Sequence, residues 1–252
     1  MKSNPLCEID ILSEEIQAKI QRDDLKEGLG KYIYLINRFH DENVFENEEF
    51  KEFKKIYDNF FQLAMPERNP KFRDQYHEYM RRGKNNKEMT LKEVLMHLKE
   101  LHNEQNHRVE VEGSFGSKLL SMINPVEKTP WDSEVETNLR KFGILKALGI
   151  KVPNNKDVNE RICEWDTFYT KICELYKDFV NRKTEARETW MNLFDQLFDE
   201  WYEKYFLCEK KADVWFKWLR ERHFSKQDLR KSITDVKIID LILWQIRAKP
   251  SP

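Results

Sequence analysis

Apolar residues in this chain recur every three or four positions along nearly every long segment, and that period points to helix rather than strand. In "EFKEFKKIYDNFFQLAM", Phe50, Phe53, Ile56, Tyr57, Phe60 and Phe61 fall on one wide stripe. "TLKEVLMHLKEL" opens with Thr90 and Glu93, the pattern of a capping box, and continues through Leu91, Val94, Leu95 and Leu98. From 157 to 206 the period runs on as two long amphipathic helices, interrupted at "RKTEA" (182–186). A last helix follows in "TDVKIIDLILWQIRA". Strand alternation is confined to "HRVEVEG" (107–113), which reads as an extended connector. The expectation is an all-α fold of roughly nine or ten helices. Loops fall at 66–70, 83–88, 124–131 and 151–156, where Pro, Gly and Asn collect.

The 252 residues suffice for one domain, or for two lobes sharing a core. With 16 Phe, 9 Tyr and 7 Trp the chain has ample aromatic material for that core, and the aromatic stripes are read as core. Charged residues make up 35% yet nearly cancel, at formal net −1, which argues against a strong global field. Locally the balance breaks. Residues 81–92 hold five basic and one acidic side chain, 217–231 hold six and two, and 185–209 carry seven acidic and two basic. Such a distribution is either a set of solvated helix faces or a dipolar surface with one side for phosphates.

Cys7, Cys163, Cys173 and Cys208 lie far apart with no CxxC pair, which fits neither a disulfide framework nor a metal cluster. His97, His102 and His107 are five apart, whereas two ligands on one helix face need three or four. No metal and no cofactor are expected. No apolar run approaches the roughly 20 residues of a membrane span, and "MKSNPLCEID" lacks a signal-peptide core, so a cytoplasmic protein is expected.

The stretch with the most chemistry is "EGSFGSKLLSMINPVEKTPWDSEVETNL". Two of only seven glycines, Gly113 and Gly116, lie three apart and lead into a helix. Glycines there permit positive φ or close backbone approach, and a helix start offers N–H groups to a phosphate. On the wheel Phe115, Leu119, Met122 and Ile123 form the buried stripe; Ser114, Ser117 and Ser121 take the polar side, with Lys118 at the edge. An edge lysine either snorkels to water or is partly desolvated with its amine primed for attack. In "TPWDSE", either Thr129 caps the next helix with Asp132 as the third residue of a capping box, or Asp132 is itself the N-cap. Both readings set the carboxylate at a helix N-terminus, which favours negative charge. A carboxylate beside a shielded amine is what cleavage of a glycosidic bond uses.

The run resembles the catalytic segment of the helix-hairpin-helix DNA glycosylase superfamily, most closely its 8-oxoguanine DNA glycosylase-like branch. Gly116–Ser117–Lys118 matches that family's Gly-[Ser/Thr]-Lys turn into a helix. Asp132, Ser133 and Val135 match its Asp-[Ser/Thr]-x-Val at the head of the next one. Gly113-x-x-Gly116 stands where the family has Gly-x-Gly, and the lysine-to-aspartate interval of 14 residues is shorter. About 30 of the 252 residues carry the likeness. It implies two helical lobes around a cleft, with 1–66 plus 150–252 as one and 67–149 as the other. It also implies a monomeric enzyme that excises a modified base from double-stranded DNA, in repair or in defence against DNA with modified bases. Asp132 would be the essential carboxylate, Lys118 a Schiff-base nucleophile or a cation near the lesion, and Gly113, Gly116 and Ser117 phosphate-binding. The runs 81–92 and 217–231 are candidates for the remaining grip on DNA. The alternative is a glycosylase-like module that binds DNA or a protein without catalysis.

Overall fold

The computed structural model describes residues 3–17, 20, 22–42, 44–45, 47–62, 70–104, 113–208 and 213–246. The helices in chain order are α1 (Glu14–Gln17), α2 (Arg22–His40), α3 (Asn47–Phe60), α4 (Pro70–Gly83), α5 (Leu91–Glu104), α6 (Gly113–Ile123) and α7 (Ser133–Lys141). They continue with α8 (Ile144–Ala147), α9 (Val158–Asn181), α10 (Glu185–Trp201), α11 (Val214–Glu221), α12 (Lys226–Lys231) and α13 (Asp235–Gln245). A 3₁₀ turn precedes α1 and a π turn, Tyr202–Phe206, extends α10. Ten of these helices run eight residues or longer. Among the described residues the extended pairing is a single bridge, Ile20 with Ile246. No helix among them is long and apolar enough to cross a membrane. The connector expected at 107–113 lies outside the described residues up to 112, and Gly113 already belongs to α6.

Local chemistry explains the boundaries. Thr90 and Glu93 bond reciprocally at the head of α5, the Thr90 N–H donating to Glu93 Oε2 at 2.7 Å. Thr184 caps α10 by accepting from Arg187 N–H, which fixes the expected break between α9 and α10. Between α7 and α8 the chain turns on Gly143 at φ +71°, a conformation other residues adopt only with strain.

α13 is the pivot of the packing. It lies against α2, α7, α9 and α10, and it is buried from Val236 to Leu243. A helix apolar nearly all round has to be interior. Ile238, Ile239, Leu241, Ile242 and Leu243 each contribute roughly 1.5–3 kcal/mol by leaving water. That sum is large enough to hold two charged residues of the same helix, Lys237 and Asp240, inside the protein.

Aromatic side chains fill the space around it, as the stripes suggested. Trp190, Trp201, Tyr169 and Tyr176 are fully buried on α9 and α10. Phe53, Tyr57 and Phe61 form a continuous series along α3, with ring centroids 5.8 and 4.7 Å apart. All of these belong to one connected core running from Leu6 to Ile246.

Candidate active site

α6 differs from its expected form in a way that matters for the site. Both glycines lie within the helix, and neither has positive φ. Neither positive φ nor close approach of another backbone accounts for them; side chains of neighbouring helices press on both. A Cβ on Gly116 would sit 2.7 Å from Leu91 Cδ1, and one on Gly113 would sit 2.7 Å from the Trp165 ring. The glycines let α6 press against α5 and α9. Two of the three serines placed on the polar side are buried too, Ser117 completely and Ser121 nearly so, while Ser114 stays partly exposed. Their hydroxyls are satisfied within the helix, Ser117 Oγ donating to Ser114 O at 2.7 Å and Ser121 Oγ to Lys118 O at 2.8 Å. A helix enclosed on both sides can carry serine inward for that reason.

Ser117 also fixes the loop that follows. Its Oγ accepts from the Trp131 N–H at 2.9 Å. Tyr169 Oη donates to Thr129 O at 2.8 Å, and Thr234 Oγ1 to Pro125 O at 2.6 Å. The Trp131 ring is buried edge-on to Phe168, centroids 4.8 Å apart. Residues 125–131 are thus tied to α6, α9 and α13. Ser117→Ala strands the buried Trp131 N–H and is expected to cost about 1–3 kcal/mol, read as a lower urea midpoint. An unchanged midpoint would show that the amide finds another partner.

At the end of this loop Asp132 is the N-cap of α7, Oδ1 accepting from Val135 N–H at 2.9 Å. Of the two readings of "TPWD", the second is the one adopted. Lys118 is half-buried, and its ammonium donates to Phe61 O at 3.1 Å. It also lies over the Phe115 and Phe61 rings, 5.3 and 5.9 Å from their centroids. Phe61 O stands just past the end of α3, where carbonyls attract a cation. Lys118 is therefore turned towards a helix end, and to attack a substrate it would have to leave that carbonyl.

The two residues face one cavity of about 510 Å³. Its walls are Gly28 and Lys31 from α2, Asn59 to Gln62 at the end of α3, and Lys118 from α6. Asp132 to Glu134 at the head of α7, and Lys237, Asp240 and Trp244 from α13, complete it. Gln62, two residues past the end of α3, adopts the left-handed region, φ +57°.

Lys237 and Asp240 were not singled out from the sequence. Their Nζ–Oδ2 distance is 2.6 Å, both side chains are 6% exposed, and the ammonium lies 4.8 Å from the centre of the Tyr32 ring. Burial pushes the Asp240 carboxyl up to about 6; Lys237 pulls it back, Asp132 pushes it further and Lys118 opposes. The available signal was a lysine and an aspartate three apart in an otherwise apolar helix.

The charged runs do not surround this cavity. Arg81 and Arg82 pair with Glu78 in their own helix. Lys84 donates to Asp41 O at 2.6 Å, and Arg222 reaches Asp41 Oδ2 at 3.3 Å, so the two basic runs meet at the far end of α2. Nine residues of helix separate that end from Lys31, roughly 14 Å at the α-helical rise. The acidic run 185–209 meets the basic run 217–231 directly, Arg230 on Asp195 at 2.6 Å and Lys226 on Asp199 at 3.0 Å. Lys226 and Arg230 of α12 thus spend their charge on acids of α10 and the π turn after it.

Among the described residues no three His, Cys, Asp or Glu side chains gather where they could hold a metal ion. The described cysteines are free thiols; Cys163 and Cys173 share α9, ten residues apart. No protein-family model, curated protein or solved structure matches the chain.

Proposed function

We propose that this cavity cleaves the N-glycosidic bond of a modified base flipped out of double-stranded DNA, leaving an abasic site. One observation carries the reading. Lys118 and Asp132, singled out for glycosidic chemistry, line a single cavity whose size suits a small-molecule group. In this reading the cleft lies between two lobes. The lobe 67–149 brings Lys118 and Asp132, and the lobe 1–66 plus 150–252 brings Lys31, Phe60, Lys237, Asp240 and Trp244. The base enters beside Phe60 and Trp244, where an extruded ring can stack. Asp132 stabilises positive charge developing on the sugar and receives a proton from the attacking water. Lys118, held at Phe61 O, acts as a cation near the lesion, which favours hydrolysis over a Schiff base. Gly113, Gly116 and Ser117 have packing roles: the last two are covered by Leu91 and Trp131, and a phosphate at Gly113 would have to displace the Trp165 ring.

The test is abasic-site formation by the full chain on duplexes carrying oxidised, alkylated, deaminated and hypermodified bases, counted as alkali-labile breaks. Breaks on one class support the reading and name the base. Their absence on every duplex, with the protein folded, overturns it. A second reading, a scaffold that binds DNA or a protein without cutting, is favoured by the contacts that occupy the two residues, Lys118 at Phe61 O and Asp132 as the cap of α7. Retention on undamaged and modified DNA alike, without breaks and with steep salt dependence, is its signature.

A further inference from the structure

Cleaving a base from its sugar leaves the electron pair of the C–N bond on the base. A neutral base departs readily only if a proton reaches its ring system as the bond breaks. Of the three carboxylates that line the cavity, Glu134 is exposed to solvent, and the other two stand in unlike surroundings. Asp132 is half-buried at a helix N-terminus, its Oδ1 bound by a backbone N–H. Asp240 is 4% exposed, on a helix whose neighbours are isoleucine and leucine. When two titratable groups in one site are pushed apart by their environments, the more shielded one is the acid and the other the base.

We propose that Asp240 is the proton donor to the departing base, working together with Asp132 in the same cavity. This rests on the reading of the cavity as a glycosidic site. As the C–N bond breaks, its electron pair goes to the base and the Asp240 proton goes to a ring nitrogen or conjugated oxygen of that base. A water oxygen bonds to the sugar carbon, and the proton it sheds passes to Asp132. The base leaves neutral, the sugar becomes an abasic hemiacetal, and solvent returns the proton from Asp132 to Asp240. No oxidant or metal enters the balance.

The groups that face Asp240 fit the assignment. Lys237, on its own helix, holds the carboxylate after the proton has left. Asp132 at the head of α7 opposes ionisation, and Lys118 from α6 favours it. Tyr32 from α2 and Tyr169 and Tyr176 from α9 are phenols pushed up by burial and, to a lesser degree, by Asp240; they stay uncharged in the working range. Asp240 itself, with its carboxyl near 6, can still donate at neutral pH.

The experiment is the single-turnover rate of the full chain on a duplex carrying the neutral modified base it cleaves, from pH 5 to pH 9. The variants are Asp240→Asn and, because that leaves Lys237 with a weaker partner, the double variant Lys237→Gln with Asp240→Asn, which keeps a neutral hydrogen-bonded pair. The wild-type rate is expected to fall about tenfold per pH unit above the Asp240 value. Both variants are expected to be about 10²–10⁴-fold slower and to lack that limb. On N7-methylguanine, whose ring already bears positive charge and leaves without protonation, any wild-type cleavage is expected to persist in the variants within a few fold. Variants that keep the wild-type rate or the wild-type limb overturn the proton-donor role while leaving the glycosidic reading intact. Equal slowing on neutral and cationic bases makes Asp240 structural. A wild type that cleaves no base removes both.

Discussion

Asp132→Asn is expected to lower single-turnover base excision by about 10³-fold or more while leaving the protein as stable as the wild type. The two halves of this prediction have separate physical origins. Asparagine caps a helix about as well as aspartate, so Val135 N–H keeps its acceptor and α7 its first turn. The amide carries no charge, however, and cannot stabilise a cationic sugar or take a proton from water. Losing one preorganised stabilising group typically costs about 10²–10³ in rate, and here a base is lost as well. Asp132→Ala supplies the control: it should be as inactive as Asp132→Asn and also less stable by about 0.5–2 kcal/mol, because the cap is gone. Rates of strand breakage and urea midpoints on the same preparations separate the two effects. Full activity in Asp132→Asn would reduce the residue to a cap and favour the non-catalytic scaffold.

The largest effect on stability is expected from Lys237→Met, about 3–5 kcal/mol at neutral pH. Lys237 and Asp240 are both nearly buried and 2.6 Å apart, so removing the lysine strands a carboxylate inside the protein. The loss should depend on pH, and its sign follows from the raised Asp240 carboxyl. A carboxyl that protonates more readily folded than unfolded contributes stability that is complete below the ordinary carboxyl range. That contribution fades as pH rises through the folded value. Without Lys237 the folded value rises further, since lysine was pulling it down. The penalty of Lys237→Met should therefore be small near pH 4.5 and grow towards pH 8. Urea unfolding at those two pH values reads it directly. Replacing the pair together, Lys237→Met with Asp240→Leu, should recover most of the loss, because a buried ion pair is rarely more stabilising than apolar side chains of similar volume. A penalty that stays constant with pH would mean that Asp240 finds another cationic partner.

Much of the fold was legible because its determinants are local. A helix shows itself in spacings of three and four, and its start in a capping residue a few positions from the N–H it serves. The Thr90–Glu93 box, the break at 182–186 and the buried aromatic stripe of α3 all follow from residues within one or two turns. Asp132 at a helix head was legible for the same reason. Whether it or Thr129 was the cap was not, because Thr129 is held back by Tyr169 from α9, distant in sequence.

Three further misjudgements share one cause. Ser117 and Ser121 were assigned outward by a wheel that assumes one wide wet face, but only Ser114 and Lys118 of α6 keep any exposure. The glycines were read as a turn, whereas the reason for them is Leu91 and Trp165 on neighbouring helices. The basic runs were read as solvated helix faces or as one side of a dipolar surface, and acids as far off as Asp195, Asp199 and Asp41 pair with several of their residues.

By itself, then, the sequence determined that the chain is helical, where α5 begins and α9 gives way to α10, and which carboxylate heads α7. Those properties depend on φ/ψ preference, period and hydrogen bonds between near neighbours. Only the tertiary structure decided that Lys118, Asp132, Lys237 and Asp240 share a cavity and that Asp240 titrates high within it. It also decided that Lys118 faces the end of α3. Each of these depends on which helix packs beside which, and therefore on how much water and what charge surround a group, neither of which a residue carries in its own identity.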